Sequence, residues 1–221
     1  MARVFIIGDI HGCCKTFKKL ILEKIVINKS DKIYCLGDYI DRGPNSKGVI
    51  DFILKMRRKG YKIHTLRGNH EEMMLNSVND EKSFLHWTKN GGDKALASFK
   101  IDSIKKIKPV YRNFIKRTKF YIETKEFILT HAGLNFSIEN PISDKEAMLW
   151  IRNFTVNKDY LKGKILIHGH TPRTREYVIS QKLESPVNVD GGCVFKDRAG
   201  YGSLFALNFY EKKFIEVYNI D

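Results

Sequence analysis

The stretch KIYCLGDYIDRGPNS, residues 32–46, places an apolar run directly before two aspartates, an arginine and a glycine–proline pair. The apolar run has the length of a buried strand, and the residues after Ser46 repeat apolar side chains at helical spacing. Two other stretches have the same design: RVFIIGDIHG, residues 3–12, and KIHTLRGNHEE, residues 62–72. Each apolar run ends on carboxylate, amide or imidazole side chains, which indicates one polar site at the ends of three strands.

Helical patterns separate these strands, over residues 14–24 and 46–60, with Ser46 predicted as the N-cap of the second helix. This alternation predicts a parallel sheet whose ligand site lies outside the carboxyl ends of the strands. Residues 70–117 have a helical pattern and are predicted to form a cap-like insertion. Short strands are predicted after it, over residues 120–124, 126–130, 164–167, 175–179, 187–190, 203–208 and 213–218. The sequence therefore predicts an α/β fold, with residues 1–221 as a single domain.

The chain is strongly basic, with a formal net charge of +14 from 39 Lys and Arg against 25 Asp and Glu. The basic residues are spread along the sequence without aromatic interleaving, so nucleic acid is not an expected partner. The charge is interpreted first as a solvated basic surface, with attraction of an anionic substrate or partner as the alternative. The four cysteines lack a CxxC spacing and are predicted to be reduced thiols. No apolar run approaches the roughly 20 residues of a membrane-spanning helix. We expect a cytoplasmic protein without a membrane partner.

The polar strand ends and two later motifs, LTHAGL and IHGHTP, supply a set of potential metal ligands. They are Asp9, His11, Asp38, Asn69, His131 and His170. Carboxylates and imidazoles together suit Mn, Fe or Zn. This set is too large for one tetrahedral site but fits two metals that share Asp38 as a bridging carboxylate. Two such metals activate a water and clamp the oxygens of a displacement, which predicts metal-assisted hydrolysis.

The second aspartate of the opening stretch has a different predicted role from the first. Asp41 would orient the imidazole of His70 and stabilise its protonated form, as a carboxylate does for a catalytic histidine. Arg42, the next residue, would hold phosphate oxygens through its planar guanidinium group.

Five motifs in this order resemble the phosphoprotein phosphatase family of metallophosphoesterases. They are GDIHG (8–12), GDYIDRG (37–43), RGNHE (67–71), HAGL (131–134) and HGHT (168–171). The short chain and the stretch WTKNGG, residues 87–92, resemble the bacterial and phage branch, typified by phage lambda protein phosphatase. The resemblance implies a central β-sandwich of mixed sheets flanked by helices, the calcineurin-like metallophosphoesterase fold.

The resemblance also implies a role for each matching residue. It places Asp9, His11 and Asp38 on one metal and Asp38, Asn69, His131 and His170 on the other, with His70 as general acid beside Asp41, and Arg42 and Arg152 as phosphate contacts. Arg152 ends the stretch LWIR, residues 149–152. Two divalent metal ions are expected, Mn²⁺ first, with Fe or Zn as alternatives. The implied mechanism is direct attack by a metal-bridging hydroxide. His168 is an alternative to His170 as ligand, and the family pattern favours His170.

The substrate is predicted to be a phosphorylated serine, threonine or tyrosine of a protein, or a small phosphoester. The alternative is a symmetrical diadenosine tetraphosphatase, which shares the same motifs. Adenine recognition calls for aromatic stacking, and the loops near the motifs offer little beyond Tyr39, Trp87 and Trp150. Of these, Trp150 is expected in the core.

Two further classes compete with these readings. A non-catalytic phosphoprotein binder would not need the acid residues Asp41 and His70, which are both present. A phosphodiesterase or nuclease is disfavoured because such relatives often lack the DRG sequence that here follows Asp38 at residues 41–43.

Overall fold

The computed structural model describes residues 2–221, which form two β-sheets covered by helices. The strands in chain order are β1 (Val4–Ile7), β2 (Lys32–Cys35), β3 (Lys62–Thr65), β4 (Tyr121–Glu123), β5 (Phe127–Thr130), β6 (Ile165–His168), β7 (Val187–Asn188), β8 (Ser203–Asn208) and β9 (Lys213–Tyr218). The first sheet has the order β3-β2-β1-β8-β9, and the second has the order β4-β5-β6-β7.

Both sheets are mixed. Strands β1, β2 and β3 are parallel, while β8 pairs antiparallel with β1, and β9 pairs antiparallel with β8. In the second sheet, β5, β6 and β7 are parallel and β4 is antiparallel. Apolar side chains from both sheets, among them Ile6, Phe127 and Phe205, share one buried cluster. The sheets therefore pack face to face, which confirms the predicted α/β sandwich of mixed sheets.

Helices cover the outer faces of this sandwich. In chain order they are α1 (Cys14–Lys19), which continues as a π-helical turn over Leu20–Lys24, α2 (Ser46–Arg58), α3 (Asn69–Asn76), α4 (Glu81–Trp87), α5 (Asp93–Phe99), α6 (Pro109–Lys116), α7 (Lys145–Trp150), α8 (Lys158–Leu161) and α9 (Arg175–Ser180). Helices α3 to α6 occupy the segment that the sequence marked as an insertion. Their buried residues Met74, Trp87 and Phe114 join the same apolar cluster as Phe17 of α1 and Ile50 of α2. The assignment of the chain to a single domain stays a prediction.

Strand β1 shows why the apolar runs are continuous rather than alternating. Its residues Phe5 and Ile7 face the cluster that contains the helices, whereas Val4 and Ile6 face the second sheet. Both faces of the strand are therefore buried. Burial of each such side chain contributes roughly 1.5–3 kcal/mol, so a polar substitution on either face would destabilise the sandwich.

Two local predictions are wrong. Residues 175–179, predicted as a strand, form helix α9, because Thr174 caps it: its Oγ1 accepts a hydrogen bond from the Tyr177 amide at 3.3 Å. The N-cap of α2 is Asn45 rather than Ser46, since Asn45 Oδ1 accepts from the Gly48 amide at 2.9 Å. The Ser46 hydroxyl instead accepts from the Asp41 amide at 3.0 Å and so braces the loop that follows β2.

The four cysteines are buried free thiols, as predicted. Among residues 2–221, the helices are all too short or too polar to cross a bilayer. The cytoplasmic localisation stays a prediction.

Candidate active site

The predicted site residues come together at the carboxyl ends of the parallel strands. The register pairs Ile7 with Cys35 and Cys35 with Thr65, so the loops after β1, β2 and β3 leave the sheet side by side. The amides of Ile10 and His11 both donate to the Asp38 carbonyl, at 3.1 and 2.7 Å. The loops after β5 and β6 bring histidines from the second sheet to the same edge.

The backbone at this edge is strained. Five site residues have φ in the left-handed region: His11 (43°), Asp38 (49°), Asp41 (70°), Arg42 (63°) and His170 (64°). Non-glycine residues rarely adopt this conformation, and it persists where the surroundings hold it for a functional purpose. It turns several polar side chains toward one point.

Glu71, which the sequence analysis did not single out, holds the strained Asp38 loop in place. Its buried carboxylate accepts hydrogen bonds from the amides of Asp38, Tyr39 and Gly68, at 2.8, 2.8 and 2.9 Å. Gly68 lies so close that a Cβ there would be 2.0 Å from Asp38 Oδ1, so only glycine fits. The acidic residue after RGNH was the available signal for this role.

One group of ligands consists of Asp38, Asn69, His131 and His170. His131 Nδ1 donates to the Leu36 carbonyl at 3.1 Å, which leaves a lone pair on Nε2. The His131 Nε2 atom lies 2.9 Å from Asn69 Oδ1, 3.6 Å from Asp38 Oδ2 and 3.2 Å from His170 Nδ1. Buried acceptor atoms facing one another at these distances fit a shared cation better than they fit hydrogen bonds.

The other group surrounds His11. Its Nδ1 donates to the Ile40 carbonyl at 3.0 Å, so its Nε2 carries the lone pair, 3.3 Å from Asp38 Oδ2. The donor atoms of His11, Asp38 and His70 lie within 4.8 Å of one another, as do those of Asp38, His131 and His170. Asp38 belongs to both groups, which is the arrangement that a bridging carboxylate requires.

Asp9 lies beside these groups rather than inside either of them. Both of its carboxylate oxygens accept from the His170 amide, at 3.1 and 3.3 Å. Gly169 is pressed against it, since a Cβ there would lie 2.3 Å from Asp9 Oδ1. The predicted partner His11 lies at the same edge. The role of Asp9 as a metal ligand stays a prediction.

Burial controls the ionisation of the cluster. It raises the pKa of Asp38 to about 7, and it lowers the pKa of His131 to about 3 and of His170 to about 2. A bound divalent cation favours the ionised carboxylate and the neutral imidazole, so it would restore the charge of Asp38 while the histidines stay neutral. The donor set therefore fits a divalent metal site, and the number of two ions stays a prediction. The choice of Mn²⁺ stays a prediction.

Asp190 is a second site residue that the sequence analysis missed. It is 2% exposed, its Oδ1 accepts from the Gly192 amide at 2.8 Å, and burial raises its pKa to about 7. After burial, the charge of Asp190 is the largest cause of the raised pKa of Asp9. A lone acid between apolar residues and two glycines, VDGG, resembles the other strand ends and could have identified it.

The predicted acid and its partner are in contact. His70 Nδ1 and Asp41 Oδ2 are 2.7 Å apart, and the Trp87 indole N–H donates to the same oxygen at 2.8 Å. Burial lowers the pKa of His70 and raises that of Asp41, because it disfavours the charged form of both groups. The Gly91 carbonyl accepts from the Arg42 amide at 3.1 Å. The segment 87–92 therefore supports the site rather than only ending a helix.

The two predicted phosphate arginines flank the cluster. Arg42 Nη1 lies 2.8 Å from His11 Nε2. The exposed Arg152 places Nη1 3.5 Å from the hydroxyl of Thr171, the residue after His170.

The structure brings His170, not His168, to the cluster, because the His168 ring turns away and packs 5.5 Å from Phe154.

The aromatic residues near the site differ from expectation. Trp150 is not in the core: it is 39% exposed, and its ring lies 6.1 Å from that of His170. Tyr39 and Trp87, considered for base stacking, are buried. The Tyr39 hydroxyl donates to the carbonyls of Leu66 and Cys35. Trp150 is the one of these three that a ligand can reach.

A sandwich of two mixed sheets with a buried Asp, Asn and His cluster at its strand ends has the architecture of a metal-dependent hydrolase. The chain belongs to the calcineurin-like phosphoesterase family, whose model matches residues 2–201. It is therefore a hydrolase of the metallophosphoesterase class.

Known proteins of two activities are similar to this chain. The asymmetrical bis(5′-nucleosyl)-tetraphosphatase of Oceanobacillus iheyensis is 24% identical over 243 aligned residues, covering 97% of this chain and 92% of the relative. Serine/threonine-protein phosphatase 1 of Salmonella typhimurium is 39% identical over 90 residues, covering 41% of this chain and 39% of the relative. A crystal structure of a proposed diadenosine tetraphosphatase matches all of this chain and 95% of its own, with a TM-score of 0.71 and 20% identity.

Proposed function

We propose that this protein hydrolyses bis(5′-nucleosyl) tetraphosphates by cleaving a phosphoanhydride bond. The observation that carries the proposal is the extent of similarity: the tetraphosphatase relative aligns with 97% of the chain, whereas the serine/threonine phosphatase aligns with 41%. The sequence alone favoured a phosphoprotein as substrate over a dinucleotide, and the extent of similarity reverses this preference.

The exposed face of Trp150 supports this choice. The lack of an accessible aromatic ring near the motifs was the reason to disfavour a dinucleotide. Trp150 removes that objection because its indole is 39% exposed beside the His170 ring. Stacking of a base on an aromatic side chain contributes about 1–3 kcal/mol.

The chain's own residues can handle a tetraphosphate. When bound, two divalent metals would activate a water and neutralise phosphate oxygens. Arg42 and Arg152 offer guanidinium groups on both sides of the cluster for the remaining negative charge. His70, whose Nδ1 lies 2.7 Å from Asp41 Oδ2, would give a proton to the leaving oxygen.

A substrate panel tests this function. We expect metal-reconstituted protein to hydrolyse diadenosine tetraphosphate with a kcat/KM at least about tenfold above that for a phosphoserine peptide, which corresponds to about 1.4 kcal/mol of transition-state stabilisation. Anion-exchange analysis of the products would distinguish two molecules of ADP from AMP plus ATP. Chelation followed by Mn²⁺, Zn²⁺ or Fe²⁺ would identify the most effective metal. A preference for the phosphopeptide would refute the proposal.

Replacement of Trp150 gives a second, more local test. We expect Trp150→Ala to lower kcat/KM for diadenosine tetraphosphate about tenfold, because a stacked base loses roughly 1–3 kcal/mol. Hydrolysis of p-nitrophenyl phosphate should stay within about twofold of wild type, since no base is present to stack. Tyr210→Ala is a suitable control, because Tyr210 is also a large exposed aromatic but lies in the turn between β8 and β9. Equal losses on both substrates would assign Trp150 to support of His170 instead.

A protein phosphatase is the second candidate. The 39% identity over 90 residues to a serine/threonine-protein phosphatase favours it, because this local identity exceeds that of the full-length relative. The same substrate panel separates the two candidates.

A further inference from the structure

A cleft of about 800 Å³ opens beside the cluster of predicted metal ligands, on the side of Arg152. Its walls come from residues 135–137, from residues 151–157 and from the segment that carries His168 and Arg173. Arg152 connects the two regions, since it lines the cleft and also lies 3.5 Å from the hydroxyl of Thr171, which follows the cluster residue His170. A chain of phosphates that leaves the cluster past Arg152 would enter this cleft.

The charge of the cleft is unbalanced. Arg152 and Arg173 line it, and within residues 2–221 no aspartate or glutamate does. The Arg173 Nε atom is buried and has no hydrogen-bond partner among the residues that the structure describes. Its guanidinium lies 5.1 Å from the centre of the Tyr177 ring, which fixes its position without neutralising it. Two guanidinium groups without a carboxylate indicate an anionic ligand.

The rest of the lining indicates what else the ligand carries. Phe154 and the exposed Tyr177 offer aromatic surface, and Asn153 offers an amide that makes no hydrogen bond within the described residues. Ligand sites for small molecules commonly have volumes of roughly 300–1,000 Å³ and combine apolar walls with a few polar groups. Phosphate-binding arginines beside aromatic rings and a free amide suit a nucleoside 5′-phosphate.

We propose that this cleft, lined by Arg152, Arg173 and Tyr177, binds the nucleoside 5′-phosphate half of the substrate that extends away from the metal cluster, and that Arg173 contacts its phosphate. Arg173 is thus a specificity-determining residue, because a substrate without a nucleoside 5′-phosphate does not reach it. This inference rests on the proposed tetraphosphatase function for its substrate, but the binding of a nucleotide to the cleft can be measured without turnover.

The test uses the metal-loaded full chain and α,β-methylene adenosine diphosphate, whose bridging carbon resists hydrolysis. We expect Arg173→Met to raise the calorimetric Kd of this probe about tenfold, since a charge-assisted hydrogen bond is lost. The same variant should raise KM for diadenosine tetraphosphate about tenfold and change kcat less than about twofold. Hydrolysis of p-nitrophenyl phosphate, which is too small to reach Arg173, should be unchanged.

A matched control is available in Arg198→Met. Arg198 also packs over a tyrosine, with its guanidinium 4.3 Å from the Tyr201 ring, but it does not line the cleft. We expect its Kd and KM to equal those of wild type. Unchanged probe binding by Arg173→Met, or equal losses in both arginine variants, would overturn the inference.

A second variant covers the case in which Arg173→Met loses p-nitrophenyl phosphatase activity and therefore its fold. Asn153→Asp changes an exposed side chain and adds a carboxylate to the cleft. We expect about fivefold weaker probe binding through charge repulsion, and unchanged binding would count against the cleft. If the wild type binds the probe through Arg173 but does not cleave diadenosine tetraphosphate, the proposed function fails and the cleft inference stands.

Discussion

Asp38→Asn is expected to lower turnover of any phosphoester substrate more than about 10³-fold, because it removes the carboxylate common to both metal groups. Asp38 Oδ2 lies 3.3 Å from His11 Nε2 and 3.6 Å from His131 Nε2. An amide carries no negative charge and bridges two cations poorly. Steady-state turnover and metal analysis after dialysis would measure the effect, and we expect bound metal to fall from about two ions per chain to less than about one.

Asp102→Asn serves as the control for this prediction. Asp102 is an exposed aspartate whose salt bridge with Lys106, at 2.7 Å, lies outside the site. Its replacement should leave turnover and metal content unchanged. Full metal content and activity in Asp38→Asn would show that Asp38 is not the bridge.

Although Asp38→Asn is expected to lower activity, we expect it to stabilise the metal-free protein. Burial raises the pKa of Asp38 from 3.8 to about 7, so the folded state holds this proton more tightly than the unfolded state. The contribution of this bound proton to the free energy of unfolding is present at low pH and is lost as the pH rises from about 4 through about 7. An amide does not titrate. We therefore expect chelated Asp38→Asn to be more stable than chelated wild type at about pH 8, by more than about 1 kcal/mol, with the difference growing between about pH 4 and pH 7.

His70→Asn is expected to lower kcat for an alkyl phosphate by about 10²–10⁴, because the leaving alkoxide then lacks its proton donor. For p-nitrophenyl phosphate, whose leaving group hardly needs a proton, we expect a loss of less than about tenfold. The contact of His70 Nδ1 with Asp41 Oδ2 at 2.7 Å is the reason for the assignment. Comparison of the two esters under saturating substrate and metal would measure it.

His64→Asn is the matched control, since His64 is exposed on β3 and stacks on Tyr34 away from the cluster. It should affect neither ester. Asp41→Asn should reproduce most of the His70→Asn pattern, because it removes the carboxylate that orients the imidazole. If His70→Asn slowed both esters equally, His70 would act through the metal group that it adjoins and not as an acid.

The parallel β1-β2-β3 unit and the edge at which the site lies follow from the amino-acid sequence alone. The signals were local: apolar runs long enough for strands buried on both faces, each ended by polar residues. Because the carboxyl ends of parallel strands meet at one edge, Asp38 and Asn69 could be placed together without a structure. Their distance in sequence did not matter once the strand type was known.

Which side chains face the ligand and which are buried depends on contacts between segments that are distant in the sequence. The segment 175–179 has apolar residues compatible with strand or helix, and a cap at Thr174 and burial of Val178 selected the helix. Trp150 is exposed beside His170 because the end of α7 lies at the surface of the site, a position set by packing and not by its own sequence. Asp190 and Arg173 lie far along the chain from Asp38. Long-range packing brings Asp190 next to the cluster and places Arg173 in a cleft that no acid of residues 2–221 lines. Local sequence patterns specify secondary structure, whereas contacts between distant segments specify exposure and charge balance.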